Sequence, residues 1–274
     1  MLQRLSPKIE ITEMPTLRLA VLIDADNAQA CIIQNLLQEI ASLGEATVRR
    51  IYGDFTSPTS ASWKSVLQQF AINPIQQYAY SKGKNATDSR LIIDAMDLLY
   101  TKTFDGFCLV SSDSDFTGLA MRIREAGLKV YGFGEKKTPE AFRNACHKFT
   151  FTEILRPKEN SSPLPEDKKV AAQNIPGKTV YTQTPVESEQ SLPMDLLNLL
   201  EKAVSQAASD DGWALLSSVG AYLTQIKPDF DPRSYGHKKL SDLVRSASSF
   251  FSIEQRPISG TNDKVIFIRC SGKS

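Results

Sequence analysis

The sequence predicts an α/β domain, with a mainly parallel sheet covered by helices on both faces, followed by a small winged helix-turn-helix domain. Three observations support this fold class. Apolar runs alternate with helical patterns between residues 17 and 156, residues 157–192 lack any apolar period, and residues 193–270 carry three helical patterns before two alternating segments. We therefore expect domains at 15–156 and 193–270, joined by a flexible linker at 157–192.

The strands of the first domain are predicted from short apolar runs bounded by turn residues. Because strands alternate with helices along the chain, right-handed crossovers and a mainly parallel sheet are expected. The predicted strands are Arg18–Asp24, Ala46–Gly53, Ile75–Tyr80, Asp105–Ser111, Leu128–Phe133 and, at an edge, Lys148–Ile154.

The helices of the first domain are predicted from apolar residues that recur at helical spacing. Gly44 and Gly127 are expected to end two of them. The predicted helices are Ala28–Leu43, Ser60–Ala71, Ala86–Tyr100, Phe116–Ala126 and Pro139–Ala145.

The second domain is predicted to combine three helices with a β-hairpin. Asp231 followed by Pro232 is typical of a helix start, with aspartate as the N-cap and proline in the first position. This pattern indicates a winged helix-turn-helix, a scaffold that binds nucleic acids or peptides. The predicted elements are helices Met194–Ala208, Trp213–Gln225 and Pro232–Ser246 and strands Phe250–Gln255 and Lys264–Arg269.

Composition excludes several classes of function. The 274 residues include 32 basic and 31 acidic side chains, so overall charge gives no support to nucleic-acid binding and any such argument must be local. The four scattered cysteines and two histidines offer no zinc spacing and no catalytic triad, and we expect the cysteines to be reduced core thiols. Without a membrane-length apolar run or a secretion signal, the expected location is the cytoplasm, with no membrane partner.

Four aspartates mark a candidate site. Asp24 closes the first predicted strand, Asp113 and Asp115 follow the fourth, and Asp88 lies in the first turn of the helix after the third. In an open α/β sheet, sites form beyond the carboxyl ends of the strands, so these side chains are expected at one edge. A carboxylate cluster repels itself and raises its own pKa values, whereas Mg²⁺ or Mn²⁺ relieves the conflict and supports phosphodiester cleavage.

Each aspartate motif also has a purely structural interpretation. Asp24, Asp26 and Asn27 suit a turn and a helix N-cap, and both roles can hold at once. One of Asp113 and Asp115 can cap the following helix, but capping does not explain the presence of the other. Hydroxyls interleaved with these carboxylates suit metal, water and phosphate.

Further polar residues are predicted to support the site. Asp94, on the same helix as Asp88, is a candidate supporting group behind the ligands. Lys82 and Lys84 belong to a short basic loop, which is either a solvated turn or a phosphate clamp that Arg90 extends. In the second domain, the candidate RNA-binding residues, set against an ordinary solvated helix face, are Arg233, Lys238 and Lys239.

Three segments, Leu22–Asn27, Lys84–Asp88 and Val110–Phe116, closely resemble the motifs of the NYN domain, a member of the PIN-like nuclease group. The resemblance covers residues 17–156 and implies a metal-dependent ribonuclease-like fold. The usual glycine of the third motif is Ser112 here. Carried over by position, the implied metal ligands are Asp24, Asp88, Asp113 and Asp115, with Asn27 and Ser112 as supporting polar groups.

The segment Asp229–Leu243 resembles the LOTUS domain, also called OST-HTH, a small winged helix. That resemblance implies a link to RNA, including folded G-rich RNA, and in some members to helicases, without identifying the ligand. The pairing of both domains looks like the bacterial NYN–LOTUS proteins of the LabA or DUF88 type.

Two functions remain open from the sequence. The first is a Mg²⁺- or Mn²⁺-dependent ribonuclease with a C-terminal RNA-binding domain. The second is a non-catalytic RNA-binding or scaffold protein with a vestigial acidic cleft. The expected partners are single-stranded or folded RNA, a protein that binds the C-terminal domain, and a second copy of the chain in a homodimer.

Overall fold

The computed structural model describes residues 16–56, 62–78, 86–157, 192–257 and 264–271. Its main feature is a six-stranded sheet in which every pairing is parallel, in the order β3-β2-β1-β4-β5-β6. The predicted parallel α/β sheet is confirmed. The strands are β1 (Arg18–Asp24), β2 (Glu45–Gly53), β3 (Asn73–Gln76), β4 (Gly106–Val110), β5 (Lys129–Gly134) and β6 (Lys148–Phe151).

The strand order changes direction between β1 and β4. From β1 the chain builds outward through β2 to β3, then returns to pair β4 on the other side of β1 and builds outward to β6. Ile23 pairs with Val110, so the two central strands end side by side. Loops leaving such a switch point diverge and open a crevice beyond the carboxyl ends of the strands.

Helices cover both faces of the sheet. Ala20 and Leu22 contribute to one buried cluster, which also contains residues of α3, α4 and α5, while Val21 and Ile23 contribute to another with α1 and α2. Alternate residues of β1 thus point to opposite buried faces, which explains its continuous apolar sequence. The helices are α1 (Ile33–Ala41), α2 (Trp63–Gln69), α3 (Ala86–Tyr100), α4 (Thr117–Glu125) and α5 (Glu140–Ala145).

Several element boundaries differ from the predicted ones. The first helix was expected from Ala28, but a 3-10 turn at Ala30–Ile32 precedes α1. The edge strand β6 ends at Phe151 and continues as a 3-10 turn, Thr152–Leu155. Turn-forming residues after β1 delay the helix, because Asp24 binds the backbone of its own turn.

The described residues divide into two compact units, one made of residues up to Arg156 together with Gly220–Leu243 and the other of residues 192–219 and those after Leu243. Nearly all of the predicted linker at 157–192 lies outside the described residues, so the domain boundaries stay predictions. No helix in the described ranges is both long and apolar enough to cross a lipid bilayer.

The C-terminal region contains three α-helices and a small antiparallel sheet in the order β7-β9-β8. The predicted hairpin is present and gains a short third strand. The elements are α6 (Met194–Ala207), β7 (Ala214–Leu215), α7 (Leu216–Ile226), α8 (Leu240–Ser246), β8 (Phe251–Pro257) and β9 (Lys264–Cys270).

The prediction of one helix over Pro232–Ser246 is wrong. Pro232–Tyr235 forms a 3-10 turn, Gly236 adopts a left-handed φ of 82°, and α8 begins only at Leu240. A left-handed residue ends a helix, and glycine takes that conformation without a Cβ penalty. The predicted cap is confirmed, since the Asp231 side chain accepts a 2.8 Å hydrogen bond from the Arg233 backbone N–H.

Candidate active site

Asp24 lies at the end of β1 and is fully buried. Its Oδ2 accepts hydrogen bonds from Ser111 Oγ at 2.7 Å and Asn27 Nδ2 at 2.8 Å, and its Oδ1 accepts one from the Asp26 backbone N–H at 3.0 Å. Three donors offset part of the cost of burying a carboxylate. Asp24 therefore fixes the turn after β1 and delivers a negative charge to this edge of the sheet.

The turn after β4 is built around Ser111 and Asp113. The Ser111 hydroxyl accepts a 3.1 Å hydrogen bond from the Asp113 backbone N–H, and Asp113 Oδ1 accepts one of 2.9 Å from the Asp115 N–H. Asp113 thereby caps the 3-10 turn Ser114–Phe116 that leads into α4. The structural interpretation of Asp113 as a cap holds, and its second oxygen remains for another role.

Three carboxylates converge beside this turn. Asp88, Asp113 and Asp115 can each offer an oxygen such that all three atoms lie within 4.8 Å of one another. Asp88 comes from the first turn of α3, and the other two come from the segment between β4 and α4. Asp24 lies outside this group of three and acts on it through its charge.

The electrostatics of this group favour a bound cation. Burial, followed by the neighbouring charges of Asp24, Asp113 and Asp115, raises the pKa of Asp88 to about 6. Burial and the charge of Asp24 also raise the pKa of Asp26. Oxygen-only donors that repel one another are the ligand set that hard divalent cations such as Mg²⁺ and Mn²⁺ take, so the residues fit such an ion.

Comparisons with known proteins identify the domain families of the chain. The family model of the NYN domain matches residues 18–155, half of the chain. The chain belongs to the NYN domain family. A second family model, the OST-HTH/LOTUS domain, matches residues 189–262. NYN domains are nuclease-like and LOTUS domains bind RNA, and the two occur here in the predicted order.

Three solved structures are similar to parts of this chain. One from Nitrosomonas europaea is 32% identical, covers 43% of this chain and 94% of its own, with a TM-score of 0.27. A protein of unknown function from Vibrio parahaemolyticus is 19% identical over 51% of this chain and 94% of its own, with a TM-score of 0.42. A fragment of a protein from Chromobacterium violaceum is 32% identical, covers 31% of this chain and 88% of its own, and has a TM-score of 0.24. No curated protein is detectably similar to this chain.

The two polar residues that the NYN resemblance implies as supporting groups, Asn27 and Ser112, have different positions. Asn27 contacts Asp24 directly, whereas Ser112 faces the neighbouring strand and its Oγ accepts a 2.8 Å hydrogen bond from the Glu135 backbone N–H. Ser112 thus fixes the loop after β5. Close packing here requires Gly134, because a Cβ on it would lie 2.5 Å from the Ser111 carbonyl oxygen.

Asp94, predicted as a supporting group, forms a hydrogen-bonded contact between α3 and β2. Its Oδ2 accepts hydrogen bonds from Arg50 Nη1 at 2.6 Å and from the Tyr52 hydroxyl at 2.5 Å. Burial raises the pKa of this carboxyl, but the hydrogen bonds from Tyr52 and Arg50 outweigh burial and lower it overall. Asp94 thereby fastens α3 to β2, and the Tyr52 carbonyl in turn accepts the Ala25 N–H at 2.9 Å beside Asp24.

Sequence reasoning missed two features of the NYN site. The Ser111–Asp24 hydrogen bond joins β4 to β1, although only Ser112 had been singled out. The loop after β5 carries exposed Lys136 and Lys137, and Glu135 within it accepts a hydrogen bond from Gln29 at 3.1 Å. The position of this loop beyond the carboxyl end of β5 was the available signal.

The predicted RNA-binding residues differ in their surroundings: some are exposed, one forms ion pairs, and two lie outside the described residues. Lys82 and Lys84 lie outside the described residues, and Arg90 is exposed on α3. Arg233 forms ion pairs with Asp231 at 2.6 Å and Glu39 at 2.9 Å. Two more predicted residues are exposed in the segment between Gly236 and α8 rather than within a helix, namely Lys238 and Lys239.

Proposed function

We propose that the NYN domain is a metal-dependent ribonuclease that hydrolyses RNA phosphodiester bonds. The observation that carries this proposal is the convergence of oxygens from Asp88, Asp113 and Asp115 within 4.8 Å at the switch point of a parallel sheet. Membership of a nuclease-like family supports the reaction class, and the LOTUS domain supports RNA as the substrate.

Asp88, Asp113 and Asp115 would hold a divalent cation, Mg²⁺ or Mn²⁺, with Asp24 as the fourth carboxylate of the site. Such an ion supplies a more acidic bound water and neutralises charge that develops on the attacked phosphate. The half-buried position of Asp88, together with its raised pKa, makes the site receptive to positive charge at neutral pH.

The chain's own residues hold and orient the reacting groups. Hydrolysis forms a bond between a water oxygen and phosphorus and breaks the bond to the leaving ribose oxygen, so no covalent adduct with a side chain is required. Ser111 and Asn27 hold Asp24, and the cap formed by Asp113 fixes the backbone on which Asp115 stands. Rigid placement of this kind accounts for much of the rate enhancement in phosphoryl transfer.

RNA is proposed to bind through local basic groups, because the whole chain is nearly neutral. Arg90 and Lys136 are exposed on elements that border the aspartate group, and Lys238 and Lys239 are exposed in the C-terminal region.

The four cysteines are free thiols, which supports a reducing compartment such as the cytoplasm.

Replacement of Asp113 by Asn tests the proposal. The amide keeps an Oδ1 that can still cap the turn, but it lacks the charge needed for a metal ligand. We expect cleavage of labelled single-stranded RNA in Mn²⁺ to fall by at least about a hundredfold. Asp97→Asn is the matched control, since Asp97 is exposed on α3 away from the group of three carboxylates.

Isothermal titration with Mn²⁺ separates binding from chemistry. Asp113→Asn should weaken Mn²⁺ binding, Asp97→Asn should leave it unchanged, and EDTA should abolish cleavage by the wild-type protein. Equal cleavage by wild type and Asp113→Asn would contradict the catalytic assignment. Tight RNA binding without cleavage in either metal would instead support a non-catalytic RNA-binding protein.

A further inference from the structure

The outward face of the C-terminal sheet differs in character from its buried face. In the antiparallel register Glu254 pairs with Phe267, and Ile253 pairs with Ile268. Since side chains alternate along a strand, Arg256 lies on the same face as Phe267, and the opposite face carries the fully buried Ile268. The outward face thus carries charged and aromatic groups together.

Two arginines on this face stack on aromatic rings. The Arg256 guanidinium carbon lies 4.4 Å from the centre of the Phe267 ring and 5.1 Å from that of Trp213, and the Arg269 carbon lies 4.8 Å from Trp213. Such contacts occur roughly once per 70–80 residues in proteins. Three of them on one small sheet are a local concentration, which we call the arginine–aromatic cluster (Trp213, Arg256, Phe267, Arg269).

One interpretation of the cluster is that it only stabilises the sheet. The ionic contacts of its two arginines, however, contribute little to stability. Arg256 pairs with Glu254 at 3.0 Å, and this exposed ion pair adds little stability. Arg269 is exposed, and within the described residues no carboxylate forms an ion pair with it. Stacking on one ring occupies one flat face of a guanidinium and leaves its in-plane N–H groups available to an anion.

We propose that the arginine–aromatic cluster is a binding surface for single-stranded RNA, an inference that rests on RNA being the ligand of the proposed nuclease. Phosphates would bind the in-plane donors of the guanidinium groups, and bases would stack on exposed ring or guanidinium planes. Arg269 is expected to contribute more than Arg256, because Glu254 already engages Arg256. The cluster contains none of the aspartates proposed to hold the metal, so it is expected to add affinity and to take no part in chemistry.

The test uses the full chain and fluorescence anisotropy of a labelled single-stranded RNA, in EDTA so that no cleavage occurs. Arg269→Ala should raise Kd about fivefold to tenfold, the lower end of the range expected for the loss of one stacked base. It should also reduce the slope of log affinity against log salt by about 0.7, the value for one phosphate contact on a single strand. Arg269→Lys should keep the salt slope and still lose affinity, because an ammonium group does not stack as a planar guanidinium does.

Lys202→Ala is the matched control, since Lys202 is an exposed cation on α6 outside the cluster, and its removal should leave Kd unchanged. Thermal unfolding of each variant shows whether the fold is intact. If folded Arg269→Ala and Arg256→Ala bind RNA as tightly as wild type at every salt concentration, the inference is overturned and the face is better explained as a protein-docking surface. Cleavage in Mn²⁺ with RNA in excess tests the proposed function separately, because the cluster variants should retain it and Asp113→Asn should not.

Discussion

The Ser111 hydroxyl donates a 2.7 Å hydrogen bond to Asp24, and this contact ties the end of β4 to the end of β1. Both residues are buried, with 2% and 0% of their surfaces exposed. The same hydroxyl accepts the Asp113 N–H, so one small side chain links the first and third aspartate segments. The spacing of the carboxylates therefore depends on Ser111 as well as on the carboxylates themselves.

Ser111→Ala should damage both stability and the site. A buried carboxylate that loses one hydrogen bond costs about 1–3 kcal/mol in the free energy of unfolding, measured by urea denaturation. Mn²⁺ affinity should fall as well, since Asp113 loses a backbone anchor. Ser217→Ala, an exposed serine on α7, should change neither quantity. Wild-type stability and Mn²⁺ affinity in Ser111→Ala would refute this role.

Asp88 should make the metal-free protein less stable as pH rises. Its pKa is raised from an ordinary 3.8 to about 6 in the folded state, so the folded protein holds this proton more tightly than the unfolded chain. The stabilisation is complete below pH 3.8 and is lost as pH rises through about 6. Asp88→Asn should remove this part of the pH dependence in thermal melts in EDTA, whereas Asp97→Asn should preserve it.

Excess Mn²⁺ should reverse that trend in the wild-type protein. A cation that binds the ionised carboxylates stabilises the folded state, and it binds more tightly as Asp88 loses its proton. Melting temperature in Mn²⁺ should therefore rise between pH 5 and 7, within the window set by a pKa of about 6. A melting temperature that is insensitive to Mn²⁺ throughout this range would contradict the metal site.

Asp94 is predicted to act on stability rather than chemistry. Asp94→Asn weakens two hydrogen bonds that fasten α3 to β2, and the free energy of unfolding should fall by about 1–3 kcal/mol. Tyr52→Phe removes one of these bonds and should cost about 1 kcal/mol. The double variant should show a coupling energy between the two sites. Additive losses would indicate that the hydrogen bond contributes nothing.

Lys136 is predicted to bind the RNA backbone beside the aspartates. It is exposed, and the loop that carries it is fixed by Ser112 and by the Lys136 backbone N–H, which donates a 2.9 Å hydrogen bond to Glu153. Lys136→Ala should weaken binding of all single-stranded RNA sequences similarly and reduce the salt slope by about 0.7. Lys129→Ala is the control, because Lys129 is exposed at the other end of β5. If both substitutions weaken RNA binding equally, Lys136 contributes only a non-specific electrostatic attraction and no contact beside the aspartates.

Sequence patterns identified the sheet because its strands are buried on both faces and each ends at a turn signal. The same rule placed Asp24 and Asp113 at one edge, since the carboxyl ends of parallel strands lie together. Which serine faces Asp24 could not be read from the sequence, because Ser111 and Ser112 are adjacent and the alternation of the strand ends there. The NYN resemblance implies Ser112 as a supporting group, whereas Ser111 is the serine that contacts Asp24 and Ser112 contacts the Glu135 backbone.

Long-range partners were also beyond the sequence patterns. Asp94 was recognised as a supporting group, but its partner Arg50 lies 44 positions away on another element. Arg233 was expected to contact RNA, whereas Glu39, 194 positions away, pairs with its guanidinium. Helical periodicity relates only residues three or four positions apart. It therefore cannot show which charged side chains form ion pairs with residues that are distant in the sequence. Gly236 was a readable signal, since glycine is the common left-handed helix terminator.

The strand order has a consequence for how the protein folds. Asp88 and Asp113 belong to segments that follow Asp24 by a long stretch of chain, and β4 must dock beside β1 before the three meet. The carboxylates therefore crowd together only once β4 has paired with β1, a contact between segments that are distant in the sequence. A nascent chain that stops before β4 thus lacks Asp113 and Asp115, and cation binding at the proposed site would report that the sheet has been assembled through its centre.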